Sequence, residues 1–358
     1  MINVTQSFLP PIEEYQKYIE KIWDSKWLTN RGSLVLELES KLKKMLNLNN
    51  LILTTNGTIP LQLAVKLLGR SGEIITTPFS YVATTSSIVW ENCTPVFVDI
   101  TPDYLTIDES KIEEAITEKT TAILATHVFG NPCNVEDIER IAQKNKIKVI
   151  YDAAHCFGVE YKNKSIFKYG DISTCSFHAT KIFHTGEGGC MITKEKDLND
   201  RLFSFHNFGH NGPLEFTNVG INGKMSEFQG AMGLSNLPYI NEIINNRKHI
   251  VDVYNEKLNK EKLNFIKIRI NTKWNYHYYP VIFNTEDILL NVIKKLNDKG
   301  IFPRRYFYPS LNKLNYLEKK VCMPISENIS SRILCLPLYS DLSIKDQKII
   351  IEIINNNC

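Results

Sequence analysis

Two side chains stand out for the chemistry that they could perform: the amine of Lys181 and the carboxylate of Asp152. Lys181 lies between a run that ends in Ser-Phe-His at residues 176–178 and the glycine-rich turn 186–189. Lysine amines condense with carbonyl cofactors, and glycines let a backbone approach such a cofactor closely. Asp152 ends the apolar run 147–152, and a carboxylate suits the ring nitrogen of pyridoxal phosphate. The pair predicts that Lys181 holds this cofactor as a Schiff base and that Asp152 holds its ring nitrogen.

A candidate phosphate site follows the predicted strand 51–55, where Asn56, Gly57 and Thr58 open a helix. The free N–H groups and the dipole of a helix N-terminus favour a bound anion. The alternative is that Asn56 or Thr58 simply caps the helix. The hydroxyl of Ser176 is also able to bind a phosphate, although serines are common at the ends of strands.

Two further side chains could complete a cofactor site. The ring of Tyr81 could stack on a planar ligand or pack in the core. His155 lies three residues after Asp152 and could instead be a structural histidine. None of these residues is specific by itself. The ordered set of anion turn, aromatic residue, Asp-x-x-His and Ser-x-x-x-x-Lys is much more specific.

The elements that must position these residues alternate between strands and helices. This alternation predicts an α/β domain with a mainly parallel sheet. Ligands of such sheets bind at the carboxyl ends of the strands, so the turn 56–58 and Asp152 are expected to share one site. The predicted strands of this domain are 51–55, 73–77, 95–100, 121–127, 147–152 and 189–193, and its predicted helices include 11–24, 109–117 and 134–145.

The length of 358 residues predicts two domains, because a single hydrophobic core seldom serves so long a chain. The stretch 206–224 is rich in Gly and Asn and is expected to form loops. A long polar helix is predicted at 240–257. We therefore expect a large domain at 1–240 and a small domain at 241–358, the latter with strands near 264–268 and 278–283 and helices near 286–298 and 344–354.

The composition excludes several classes of partner. A net charge of +3 without a long basic cluster gives no reason to expect a nucleic-acid partner. No apolar run approaches the ~18 residues of a membrane span, and the first residues do not form a signal peptide. The eight cysteines contain no Cys-x-x-Cys pair, so we expect buried free thiols, no bound metal and a cytoplasmic location.

Over nearly its whole length the sequence resembles the DegT/DnrJ/StrS sugar aminotransferases, a family within the fold-type I pyridoxal-phosphate enzymes. Its most specific motif is Ser-Phe-His-Ala-Thr-Lys at 176–181, preceded by Asp-Ala-Ala-His at 152–155. The resemblance implies a large α/β domain with a mainly parallel seven-stranded sheet between helices, and a smaller C-terminal α+β domain. The other matching stretches are 28–32, 56–58, 78–84, 186–189, 220–227 and 336–339.

The resemblance also implies a role for each site residue. Lys181 would bind the cofactor and transfer protons, and Asp152 would keep the ring nitrogen protonated. His155 would lie near the phenolic oxygen, and Tyr81 would stack on the ring. The phosphate would be held by Asn56, Gly57, Thr58 and Ser176, and by Asn222 from the neighbouring subunit of a homodimer.

The activity that the resemblance implies is amino transfer, because the dehydratases of this family carry histidine in place of the Schiff-base lysine. Residues 304–311 and the Lys181 motif look like the branch that makes dTDP-4-amino-4,6-dideoxyglucose. This implies transfer from L-glutamate to carbon 4 of a nucleotide-linked 4-keto-6-deoxy sugar, for surface glycans such as the O-antigen of lipopolysaccharide. Arg304 and Tyr308 are the expected substrate contacts. Arg304 or Arg305 could bind the diphosphate or remain a solvated charge.

Several alternatives stay open at this point. A related branch aminates carbon 3 of the sugar, other fold-type I enzymes are lyases or desulfurases, and some cofactor-binding proteins are not catalytic. The loop 220–224 reads Gly-Ile-Asn-Gly-Lys, where the family commonly has Gly-x-Asn-Tyr-Arg. The missing aromatic residue and arginine leave the substrate contacts of this loop open.

Overall fold

The computed structural model describes residues 1–358 and contains fifteen strands and eleven α-helices. The helices are α1 (Ile12–Ser25), α2 (Ser33–Met45), α3 (Thr58–Gly69), α4 (Val82–Trp90), α5 (Val135–Asn145), α6 (Lys196–His206), α7 (Glu227–Asn236), α8 (Ile240–Lys257), α9 (Glu286–Asn297), α10 (Pro324–Arg332) and α11 (Ile344–Asn357). The strands are β1 (Ile2–Asn3), β2 (Ile52–Thr54), β3 (Glu73–Thr76), β4 (Thr94–Phe97), β5 (Thr120–Thr126), β6 (Lys148–Asp152), β7 (Glu160–Tyr161), β8 (Lys164–Ser165), β9 (Ile172–Ser176), β10 (Gly189–Ile192), β11 (Leu263–Phe265), β12 (Thr272–Lys273), β13 (Tyr279–Phe283), β14 (Ile301–Phe302) and β15 (Ile333–Leu336). None of the helices is both long and apolar enough to cross a lipid bilayer.

The large sheet has seven strands in the order β2-β10-β9-β6-β5-β3-β4. All neighbours are parallel except β10, which runs antiparallel to β2 and β9. Successive residues of β5 pack into different apolar clusters, with Ile123 in one and Leu124 in the other. Because side chains alternate across a strand, both faces of the sheet are covered. The predicted α/β fold with a mainly parallel seven-stranded sheet between helices is confirmed.

The C-terminal part contains the antiparallel sheet β11-β13-β15, which packs with α9 and α11 around its own apolar cluster. This is the predicted α+β arrangement. The N-terminal strand β1 also joins this part of the structure, because it pairs in parallel with β14. Helix α8 contributes Ile240 and Ile243 to the largest apolar cluster and Ile250 to the C-terminal one. The domain boundary at 240 stays a prediction.

One predicted helix forms differently. Residues 109–117 contain two short 3-10 turns, Glu109–Lys111 and Glu113–Ala115, instead of a continuous α-helix. Ile112, between them, is fully buried, and no residue within either turn is. Ala115 and Ile116 still pack against the largest apolar cluster beside Ile112, so the segment lies on the core without forming a continuous α-helix.

Candidate active site

A cavity of about 570 Å³ opens at the carboxyl ends of the strands of the large sheet. This is where α/β sheets bind their ligands. Nine of the predicted site residues line the cavity, and they come from the ends of β2, β6 and β9 and from the loops after β3, β9 and β14. They are Asn56, Gly57, Thr58, Tyr81, Asp152, His155, Ser176, Lys181 and Arg304. Asn222 and Tyr308 are not among its lining residues.

Lys181 follows β9 by five residues and lines the cavity. Burial lowers the pKa of Lys181 to about 8, because an ammonium group loses its hydration there. Asp152 opposes this shift and Arg304 adds to it. The amine is thus far easier to deprotonate than that of a surface lysine, as a nucleophile and proton carrier requires.

Asp152 is buried at the end of β6 and accepts two hydrogen bonds. The N–H of Ala154 donates to Oδ1 at 3.1 Å, and the hydroxyl of Thr84 donates to Oδ2 at 2.7 Å. Burial raises the pKa of Asp152, and these two hydrogen bonds and the charge of Lys181 lower it in part. A cationic ring nitrogen beside this carboxylate would offset the remaining cost of its burial.

His155 is held as one tautomer and is packed between other ring side chains. Its Nδ1 accepts the N–H of Phe129 at 3.1 Å, so the neutral ring carries its hydrogen on Nε2 and donates from there. Phe307 lies parallel to it at 5.9 Å and His277 stacks on it at 4.8 Å. Burial lowers the pKa of His155 well below its ordinary value. The site therefore contains a neutral imidazole donor.

The phosphate end is formed where α3 begins. Asn56 Oδ1 accepts the N–H groups of Thr58 and Ile59, both at 2.9 Å, so Asn56 caps the helix as the alternative interpretation allowed. A Cβ on Gly57 would lie 2.6 Å from the Cβ of Ser176. Only glycine lets the start of α3 approach the end of β9 this closely. The hydroxyls of Thr58 and Ser176 therefore line one corner of the cavity at a helix N-terminus, which suits an anion.

The outer part of the cavity contains Tyr81 and Arg304. Tyr81 is half exposed at the start of α4, so its ring is available for stacking. Arg304 forms no ion pair within the chain, and its guanidinium lies 4.6 Å from the ring centre of Tyr306. Arg305 instead pairs with Glu286 and donates to a backbone carbonyl. Tyr308 packs against Arg305 with a guanidinium-to-ring distance of 3.7 Å, so its role as a substrate contact stays a prediction.

Asn222 lies on the long loop between α6 and α7, where its backbone forms an isolated antiparallel β-bridge with Asn207. Its side chain is exposed and does not reach the cavity of its own chain. The same loop exposes several apolar side chains, namely Phe208, Leu214, Phe216, Val219 and Ile221.

Some residues of the site were not singled out in the sequence. Ser80 and Thr84 lie within the motif 78–84 and connect to Asp152 through hydroxyl groups. Thr126 joins this set from the end of β5. His277 stacks on His155 from the C-terminal part of the chain. No local pattern marks Thr126 or His277, because only the folded chain brings them to the site.

The residues present fit pyridoxal phosphate. A depressed-pKa lysine and a buried carboxylate share one cavity with a neutral imidazole donor. At its far end, a helix N-terminus and two hydroxyls form a cradle that a side chain at Gly57 would fill. The lysine matches the carbonyl of this cofactor and the carboxylate matches its basic nitrogen. The imidazole matches its phenolic oxygen, and the cradle matches its phosphate.

Comparison with known proteins identifies the class and then the family. The model of the DegT/DnrJ/EryC1/StrS aminotransferase family matches residues 11–355. The protein is therefore an aminotransferase of the class that uses pyridoxal phosphate. The chain belongs to the DegT/DnrJ/EryC1/StrS aminotransferase family.

Several relatives match along nearly their full length. A dTDP-4-amino-4,6-dideoxy-D-glucose transaminase of Shigella dysenteriae is 42% identical, covering 96% of this chain and 95% of the relative. An enzyme of Escherichia coli with the same name is 39% identical, covering 98% and 96%. Among solved structures, DesI in the presence of its TDP-sugar product is 28% identical with a TM-score of 0.94, covering 99% of this chain and 92% of DesI.

Proposed function

We propose that this aminotransferase transfers the amino group of L-glutamate to carbon 4 of a nucleotide-linked 4-keto-6-deoxy sugar. The sugar would be dTDP-4-keto-6-deoxyglucose and the product dTDP-4-amino-4,6-dideoxyglucose. The observation that carries this proposal is the pair of relatives named for this product, at 42% and 39% identity over nearly the whole chain. The match spans both the buried cofactor end and the exposed substrate end of the cavity.

The chemistry divides between cofactor and protein. When bound, pyridoxal phosphate supplies a carbonyl that condenses with amines and a ring that accepts the electron pair left when a proton leaves the adjacent carbon. Lys181 Nζ then takes the proton from the substrate carbon and returns it at a new position. Because the pKa of Lys181 is lowered to about 8, its amine can act as both base and acid near neutral pH.

The other residues bind and orient. Asp152 would keep the ring nitrogen of the bound cofactor protonated, and His155 would donate to its phenolic oxygen. Tyr81 would stack on the ring and limit its exposure to water. The turn 56–58 and the hydroxyl of Ser176 would hold the phosphate.

Arg304 is our candidate for the diphosphate of the nucleotide sugar. It lines the cavity and has no carboxylate partner, whereas Arg305 is occupied by Glu286. A guanidinium can bind a phosphate through two parallel hydrogen bonds. Tyr308, beside Arg305, is proposed to border the same nucleotide.

We further propose that the enzyme is a homodimer with shared sites. Asn222 is exposed and does not line its own cavity, and its loop exposes large apolar side chains such as Leu214 and Phe216. Exposed apolar groups of this size are typical of association surfaces. A second copy of the chain would cover them and bring Asn222 to the phosphate of the neighbouring subunit. Sedimentation analysis of wild type and of a Leu214→Asp, Phe216→Asp variant would test this arrangement.

The cellular setting follows from the same reasoning. Six of the eight cysteines are buried without a disulfide partner, which is typical of a reducing cytoplasm. We propose that the amino sugar is made there for a surface glycan such as the O-antigen of lipopolysaccharide.

The decisive experiment is a product assay. The purified holoenzyme is incubated with L-glutamate and dTDP-4-keto-6-deoxyglucose, and the product is examined by NMR. An amine on carbon 4, formed together with 2-oxoglutarate, supports the proposal. Turnover of only a 3-keto sugar would favour the carbon-3 branch, release of sulfide or an elimination product would favour a desulfurase or lyase, and cofactor binding without any turnover would favour a non-catalytic protein.

A further inference from the structure

Three buried hydroxyl groups form a series of hydrogen bonds that ends at the Asp152 carboxylate. Thr126 Oγ1 donates to Ser80 Oγ at 3.0 Å, Ser80 Oγ lies 2.7 Å from Thr84 Oγ1, and Thr84 Oγ1 donates to Asp152 Oδ2 at 2.7 Å. All four side chains are at most 5% exposed. Ser80, Thr126 and Asp152 also border the cavity that the cofactor would fill.

The direction of donation in this hydrogen-bond series follows from the number of hydrogens that its members carry. Each hydroxyl has one hydrogen, and an ionised carboxylate can only accept. Because Thr84 gives its hydrogen to Asp152, the contact between Ser80 and Thr84 must use the hydrogen of Ser80. Ser80 in turn accepts from Thr126. Each of the three O–H groups thus donates to the next group in the series, and the last one donates to Asp152.

The order of strands in the sheet creates this alignment. Strands β6, β5 and β3 are neighbours, and Thr126 pairs in register with Asp152 at the carboxyl ends of β5 and β6. Ser80 and Thr84 follow β3 and reach the same edge.

We propose that Thr126, Ser80 and Thr84 form a directional hydrogen-bond relay that keeps the Asp152 carboxylate ionised and aimed at the ring nitrogen of the cofactor. The three are positioning residues, and the inference rests on the proposed role of Asp152. Hydrogen bonds to ionised groups are stronger than neutral ones, and aligned hydroxyls polarise one another in a low-dielectric interior. The other groups around the carboxylate are Lys181, His155, Cys156 and the N–H of Ala154.

The test compares two ligands on the apoprotein. One is pyridoxal phosphate, and the other is its analogue with a C–H group in place of the ring nitrogen. Both have the aldehyde and the phosphate, so the ratio of their dissociation constants isolates the interaction between Asp152 and the nitrogen. Fluorescence titration gives each constant for wild type, Thr84→Val, Ser80→Ala and Thr126→Val.

We expect wild type to prefer the cofactor with the nitrogen, and Thr84→Val to lower this preference by about tenfold or more, the value of one hydrogen bond to an ionised group. Ser80→Ala should lower it less and Thr126→Val least. Thr85→Val is the matched control, because Thr85 is fully buried beside Thr84 and its hydroxyl has no partner. Thr84→Ser retains the hydroxyl and should keep the wild-type preference. This variant distinguishes the effect of the lost hydrogen bond from an effect on the fold.

Two results would overturn the relay alone. Equal losses of affinity for both ligands would mean that these residues only support the fold, and a loss in Thr126→Val as large as in Thr84→Val would contradict transmission through Ser80. A wild-type protein that does not distinguish the ligands would instead refute the role of Asp152, and the relay with it.

Discussion

The two ends of the cavity are built in different ways. At the cofactor end, Asp152 and His155 are buried, and each has hydrogen-bond partners supplied by its own chain. At the substrate end, Arg304 is exposed and has no charged partner. Asn222 and the apolar side chains of its loop also face outward.

This difference separates the groups expected to handle the cofactor from the groups expected to recognise the sugar. Within one chain, hydrogen bonds already orient the Asp152 carboxylate and set the tautomer of His155, and Asn222 of the partner subunit is proposed to complete the phosphate end. The substrate end has unsatisfied groups that a nucleotide sugar or a second subunit would cover. We therefore expect catalytic capacity to depend on the first end and the choice of sugar on the second.

The largest effect should come from the cofactor end. Lys181→Ala removes the group that we propose binds the cofactor and moves the proton, so we expect turnover to fall by about 10³-fold or more. Steady-state assay of 2-oxoglutarate release measures the loss. Lys66→Ala, which removes a surface lysine paired with Glu91, is the control. Wild-type turnover in Lys181→Ala, with the fold intact by circular dichroism, would contradict the assignment.

A matched pair of arginines tests the substrate end. Arg304→Ala should raise KM for the nucleotide sugar by about ten- to hundredfold with little change in kcat, because a hydrogen-bonded charge contact is lost. Arg305→Ala should mainly lower the melting temperature, since it breaks the contacts with Glu286 and the carbonyl of Ser331. Equal effects of the two variants on KM would remove the distinction between them.

The depressed pKa of Lys181 predicts a pH dependence. Only the neutral amine attacks a carbonyl, so covalent attachment of the cofactor to the apoprotein should speed up with pH and level off near its pKa of about 8. Below that pH the rate should fall about tenfold per unit. Asp152→Asn removes a charge that raises the pKa of Lys181, so its midpoint should move to lower pH. Borohydride trapping followed by mass spectrometry gives the rates. A midpoint at the ordinary lysine value of 10.5 would refute the shift.

Two glycines give the smallest expected effects. Gly57→Ala would place a Cβ 2.6 Å from that of Ser176, and such overpacking costs about 1–3 kcal/mol of unfolding free energy. It should also weaken cofactor binding. Gly212→Ala meets no neighbour, and its φ of +82° costs about 1–2 kcal/mol. Urea unfolding and cofactor titration measure both. Cofactor affinity lowered equally in the two variants would contradict the tight approach at Gly57.

Much of the cofactor end could be predicted from the sequence. Asp152 and the turn 56–58 directly follow apolar strands, and Lys181 precedes a glycine-rich turn, so their place at one sheet edge follows from local patterns and from the behaviour of parallel sheets. The structure confirms that these residues line one cavity. Their individual roles stay predictions.

What the sequence could not provide depends on the order of strands and on side-chain pairing. Thr126 reaches the Asp152 network only because β5 lies between β3 and β6. The adjacent Arg304 and Arg305 are indistinguishable in sequence, and Glu286 separates them in the folded chain. Strand β15 was not predicted, because a short apolar run such as 333–338 has no periodicity that distinguishes strand from helix.

The most direct test of the account is the absorption spectrum of the purified enzyme during its two half-reactions. We expect a band from the lysine-bound cofactor that disappears when L-glutamate is added and returns when dTDP-4-keto-6-deoxyglucose follows. A band that disappears with glutamate but does not return with this sugar would contradict the proposed acceptor. A protein that shows no band even with added pyridoxal phosphate would contradict the assignment of Lys181 itself.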